Sequence, residues 1–178
     1  GKFAKSEGID WNGVAAAKRF CKNNGLGCQL FMDGVIAEQT PWRQFWAETA
    51  PFSLLEFARV GGRETLIPAV PVNAAGQANR EVLVNALFTA GNVLEGSYKE
   101  EFIDYGSAVQ DLIATVIYRE TESQDVFPRN SSVTVSLKGV NPSIAVSQSF
   151  DISQFVTQEK QAILFAKLLC NQRRHIRR

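Results

Sequence analysis

Apolar residues recur at two periods along this chain, and the periods separate helices from strands. In IDWNGVAAAKRFCKNNGLG, Val14, Ala17, Phe20 and Cys21 fall three and four residues apart, the spacing of one helix face. Asp10 stands where an N-cap is needed, and Gly25 or Gly27 can supply the left-handed turn that ends the helix. TPWRQFWAETA repeats the pattern with Trp42, Phe45 and Trp46; Thr40 is the expected N-cap and Pro41 the expected first helical residue. A third helical pattern runs from 158 to 178, with Thr157 as cap and Glu159 in the first turn. Its apolar stripe is Ala162, Phe165, Ala166, Leu169 and Ile176. At about 1.5 Å per residue such a helix is roughly 30 Å long.

Elsewhere the period is two. SSVTVSLKGV alternates Val133, Val135 and Leu137 with Thr134, Ser136 and Lys138, the pattern of a half-buried strand. In VQDLIATVIYRE the β-branched cluster Ile113, Thr115, Val116 and Ile117, followed by Tyr118, favours a strand over a helix. The runs Leu54–Val60 and Arg63–Val70 flank Gly61-Gly62, whose freedom at positive φ suits a two-residue hairpin turn; Pro68 assigns the second run to an edge. CQLFMDGVIAE carries Leu30, Phe31, Val35 and Ile36 interrupted at Asp33-Gly34 and reads as a strand bulged or bent at the glycine. Residues 71–80 are a loop by composition. Residues 81–108 are ambiguous, with a short strand or turn near Phe88 and another strand over Ser97–Tyr105.

These elements predict an α+β fold: a small mixed or antiparallel sheet, or a barrel-like closure of it, with an N-terminal helix, a short Trp-bearing helix and a long C-terminal helix. The 178 residues fit a single domain, or a piece excised from a longer protein, with 1–70 and 71–178 as its sub-parts. With 45% hydrophobic and 21% charged residues, a core is expected and wholesale disorder is not.

Charge changes the picture only at one end. The formal net charge is +1, but four of the last six residues are Arg173, Arg174, Arg177 and Arg178, and without them 15 basic residues face 18 acidic ones. Any polyanion contact therefore rests on these arginines, which equally suit the negative end of a helix dipole. No apolar run approaches the roughly 18–20 residues of a membrane span. GKFAKSEGIDW has no apolar stretch of the signal-peptide kind.

Candidate chemistry is sparse. The cysteines, Cys21, Cys28 and Cys170, are odd in number and irregular in spacing, which points to buried free thiols in a reducing compartment. With His175 they make a zinc-type donor set, but the six residues between Cys21 and Cys28 do not match the tight pairs of structural zinc sites, so neither metal nor cofactor is expected. The chain has one histidine and no G-x-S-x-G elbow, and GLGCQL follows a helix where a phosphate loop would open one. Glu100, Glu101, Asp104 and Asp111 could serve acid–base hydrolysis, yet acids scattered near strand ends read first as a solvated face. The tryptophan stripe could stack bases, yet reads first as a helix fixed to a core. No catalytic residue is assigned.

The order of these elements resembles the phage tail protein domain of the central hub and tail-tip (host-specificity) proteins of long-tailed bacteriophages and gene-transfer agents. The residues carrying the resemblance are Asp33-Gly34-Val35-Ile36, Trp42, Gly61-Gly62, Leu87-Phe88-Thr89 with Asn92, Tyr118, Gln161-Ala162 and Arg173-Arg174, spread over residues 26 to 178. The first helix (10–24) is not placed in that pattern, and the chain departs from it at VIYRE, where the family often has a fuller hydrophobic–polar strand. The resemblance implies a structural, non-enzymatic part of a virion tail, made in the bacterial cytoplasm. Its partners would be other tail proteins and copies of itself in a trimeric hub, with any host receptor met through other domains. It further implies that the arginines pair with acidic groups of a neighbouring domain or subunit. Two other readings compete: a nucleic-acid contact through Arg173–Arg178 with Trp42 or Trp46, and a tail-associated cell-wall hydrolase using the carboxylates.

Overall fold

The computed structural model describes residues 8–36, 39–79, 91, 93, 111–120 and 129–175. The expected elements near Phe88 and over Ser97–Tyr105 lie outside the described residues, as do Leu87, Thr89, Asn92 and Ile176.

The first helix, α1 (Trp11–Asn23), forms as its sequence dictates: Asp10 Oδ1 accepts from the Asn12 N–H at 3.1 Å, and Ala17 and Phe20 are buried. Gly25 and Gly27 leave the helix with φ of 72° and 88°, conformations that cost a side-chain-bearing residue steric strain. The second helix, α2 (Trp42–Thr49), begins one residue later than the sequence implies. Pro41 has an extended ψ of 130°, so it is the N-cap in place of Thr40 and no side chain caps the helix. Pro41 instead gives its carbonyl to the Phe45 N–H at 2.9 Å. A 3-10 turn, Ala50–Ser53, follows. Leu54, buried yet left-handed at φ 54°, then swings the chain into β1 (Leu55–Val60).

β1 pairs antiparallel with β2 (Arg63–Pro68) in the expected hairpin register, Val60 opposite Arg63, and Gly61 and Gly62 take φ of 57° and 82°. Leu54 is excluded from β1 by its left-handed backbone, and the second strand stops at Pro68, two residues before the expected end.

A separate sheet has the order β4-β3-β5. Its centre is β3 (Leu112–Glu120), antiparallel to β4 (Arg129–Ser136) and parallel to β5 (Val146–Asp151). Leu112, Ala114, Val116 and Tyr118 of β3 are buried on the face that meets the last helix, α3 (Glu159–His175). Val133 and Val135 point the same way and Thr134 and Ser136 outward, as the alternation requires. The fold is α+β with these two small sheets; among the described residues neither closes into a barrel.

Two hydrophobic clusters share α3. One face of the helix, Ala162, Phe165, Ala166 and Cys170, packs on the three-stranded sheet. Another, Leu164 and Leu168, packs on the cluster built from α1, the Ala50–Leu55 turn and the hairpin. α3 begins at Glu159, and the Thr157 hydroxyl, expected to cap it, donates to Asp33 Oδ2 at 3.0 Å.

The expected strand through Leu30–Ile36 does not form; among the described residues the segment pairs with no strand. Its hydrogen bonds go to the end of α1, where the Leu30 N–H donates to the Cys21 carbonyl at 3.0 Å, and to side chains and a turn. Gln161, 1% exposed, accepts from the Phe31 N–H at 3.0 Å and donates to the Phe31 and Phe52 carbonyls, each at 2.9 Å. The Asp33 N–H donates to the Phe155 carbonyl at 2.8 Å. One amide side chain thus takes the place of a ladder.

Gln161→Leu keeps the volume and removes all three bonds, leaving Phe31 and Phe52 backbone groups unpaired. The expected loss is about 2 kcal/mol of unfolding free energy by urea titration, and no measurable loss would contradict it.

Candidate functional site

The arginine-bearing end of α3 is the first site the sequence singled out. Arg174 forms a two-pronged pair with Asp111: Nε donates to Oδ1 at 2.8 Å and a terminal nitrogen to Oδ2 at 2.7 Å. Its other terminal nitrogen donates to the Lys138 carbonyl at 3.3 Å. The planar fork that would grip a phosphate or a partner's carboxylate is therefore already filled within the chain. Arg174, expected to pair with a neighbouring domain or subunit, thus has its acidic partner within the chain, and Asp111, expected on a solvated face, is ion-paired. Arg173 is exposed on the helix surface, while Arg177 and Arg178 lie outside the described residues. Glu100, Glu101 and Asp104 lie outside them too.

The zinc-type donors are not gathered. Cys170 is buried against the three-stranded sheet, its thiol 3.4 Å from the Leu112 carbonyl and 3.6 Å from that of Val135. Cys21 and Cys28 pack on the other cluster, on either side of a loop that the Asn24 amide holds through both of their carbonyls. Among the described residues no group of three His, Cys, Asp or Glu could hold a metal ion. Burial pushes all three thiols up, Cys21 to about 11.

A knot of bonds sits where the sequence shows only Asp33-Gly34. Besides its bonds to Phe155 and Thr157, Asp33 accepts at its carbonyl from Arg119 at 2.6 Å, tying the segment to the end of β3. A Cβ on Gly34 would stand 2.3 Å from the Gln154 carbonyl oxygen and 2.5 Å from the Phe155 ring, so only glycine fits.

Two concavities flank α2. All three tryptophans of the chain, Trp11, Trp42 and Trp46, line a small apolar cleft of about 130 Å³ with Phe57 and Leu66. Trp42 and Trp46 meet edge to face with ring centres 5.3 Å apart. Trp42 is 47% exposed, so the helix is fixed to the core through Phe45 and Trp46 and its first aromatic faces outward. Trp46 Nε1 and Thr65 Oγ1 are buried without a hydrogen-bond partner among the described residues. Arg43, beside the cleft, is paired with Glu64. The tryptophans thus lie between α1, α2 and β2, whereas Arg174 lies at Asp111 and Lys138.

The second concavity, of about 310 Å³, opens between α2 and the turn that follows β5. Glu48 and Asp151 line it together with Phe45, Phe52 and Phe155, and among the described residues no basic side chain does. Hydrogen bonds from Ser153 hold the Asp151 carboxyl below its usual range, so it is ionised at neutral pH. Sequence reasoning missed this cleft because its walls come from segments a hundred residues apart, with no motif joining them.

With a pKa of about 11, about one Cys21 thiol in a thousand is ionised at pH 8. Iodoacetamide at that pH should leave Cys21 and the buried Cys170 unmodified in the native chain and label both in urea, as read by peptide mass spectrometry. Native labelling of Cys21 at the rate of a free thiol would contradict the packing described. In comparisons with known proteins, no family model, curated protein or solved structure matches the chain.

Proposed function

We propose that the chain is a structural domain of a phage tail hub or tail tip, one that assembles with other tail proteins and with copies of itself in the virion and catalyses nothing. The observation that carries this reading is where the residues of the resemblance fall. Asp33, Gly34 and Gln161 form the clip between α3 and the 31–34 segment, and Gly61-Gly62 makes the hairpin turn. Tyr118 and Ala162 are buried where α3 meets the sheet, and Arg174 locks the far end of the helix to Asp111. Residues placed at joints are what an architectural part requires, since its task is to hold shape under load. The raised pKa of its thiols and the pairing of Asp111 with Arg174 agree with such a role.

Removing this domain from the full-length protein in a producing phage or prophage should abolish finished tails, seen as tail-less heads or malformed tips by negative-stain electron microscopy. Tails of normal length and tip shape without the domain would overturn the reading.

A further inference from the structure

The cleft between α1, α2 and β2 gathers every indole of the chain. Trp42 and Trp46 form a corner, their ring planes 76° apart. Trp11 lines the same cleft from α1, and among the described residues it stacks on neither of them. Phe57 and Leu66, which face each other across the hairpin, complete the wall. The space left is about 130 Å³. An apolar cavity of about 150 Å³ takes one benzene molecule, so the room here is that of a single six-membered ring. A flat ring in such a corner stacks on one indole and meets the other edge to face, the two arrangements that aromatic pairs favour.

The charge on the wall is already matched. Among the described residues Glu64 is the one ionisable side chain that lines the cleft, and Arg43 holds its carboxylate. A neutral occupant therefore fits better than an ion. Two polar atoms are not matched: Trp46 Nε1 and Thr65 Oγ1 are buried without a partner, and both residues line the cleft. An indole N–H only donates and a threonine hydroxyl donates or accepts, so one hydroxyl on the occupant can serve both. Trp11 and Trp42 are 59% and 47% exposed, so apolar surface continues outward past the mouth of the cleft. A free phenol would leave that surface in water, whereas a ring carried on a polypeptide covers it. An aromatic side chain seated in a pocket, with a rim of contacts that excludes water, is the usual form of an interface anchor.

We propose that this cleft receives one tyrosine side chain of a partner protein, the ring in the Trp42–Trp46 corner and the hydroxyl turned toward Trp46 Nε1 and Thr65 Oγ1. The contact does not depend on the tail reading above, and the two stand or fall separately.

The three indole N–H signals in the nuclear magnetic resonance spectrum of the whole chain all report on the cleft. Titration with N-acetyl-tyrosinamide should shift them saturably, with a dissociation constant of about 1 mM, as suits a single side chain. p-Cresol, the ring and hydroxyl without the backbone, should bind about threefold more weakly, and toluene, without the hydroxyl, about tenfold more weakly. Tetramethylammonium chloride should give no saturable shift. Trp11→Ala, at the exposed rim, should weaken N-acetyl-tyrosinamide at least about fivefold, and Trp11→Phe should restore most of the affinity. Thermal melts check that both variants fold. No saturable shift with any ring compound, or a Trp11→Ala chain that binds as wild type does, would overturn the site. Toluene binding as tightly as p-cresol would overturn the hydroxyl assignment, and tetramethylammonium binding more tightly than either would overturn the neutral occupant. p-Cresol binding as tightly as N-acetyl-tyrosinamide would make the occupant a free phenol and overturn the partner side chain.

Discussion

The Gln161 amide is the constraint on which the rest of the fold depends. It sits on the one helix that both hydrophobic clusters share, and it binds backbone groups of the two segments that cross between those clusters, at Phe31 and Phe52. A buried primary amide has two donors and one carbonyl; here both N–H groups and the oxygen are matched. The net gain from such bonds is about 1 kcal/mol each, but an unmatched amide at the same place would cost more than that. The site is therefore a strong selector of geometry and a modest source of stability. Once α3 is registered by Gln161, Ala162 and Phe165 must face the sheet and Leu164 the hairpin cluster.

The electrostatics follow the same division of the helix. At its start, Glu159 faces the positive helix end and the Thr157 hydroxyl is given to Asp33. At its finish, Arg174 reaches Asp111, just ahead of β3, and Lys138, just beyond β4, so one ion pair fixes the helix against the sheet. α3 is thus pinned at both ends by polar contacts and along its length by apolar ones.

What the sequence made legible were the elements whose signal is local. Asp10, Gly25 and Gly27 mark the limits of α1, Gly61-Gly62 mark the hairpin, and Val133 and Val135 alternate as a one-faced strand must. The failures share a cause, which is that the partner was distant. Leu30–Ile36 has the composition of a strand, but its hydrogen bonds go to a glutamine 130 positions away, and nothing in the segment announces that. β5, VSQSFD, is invisible in the sequence because an edge strand with one large apolar residue, Phe150, carries almost no periodic signal. Gln161 itself interrupts an apolar stripe, and a polar residue in such a place is the one sequence-level hint that a buried amide is at work. Among the site residues, Arg174 and Asp111 were each visible as charges, but their pairing was not.

Hydrogen exchange at the Phe31 and Asp33 amides tests the account most directly, because these N–H groups lie in no helix or strand and are held by Gln161 and the Phe155 carbonyl alone. If α3 clips this segment as described, both amides exchange slowly, with protection approaching that of the β3 amides. Exchange at the rate of an unstructured chain would mean that the clip is open in solution and that the two clusters are not joined through Gln161.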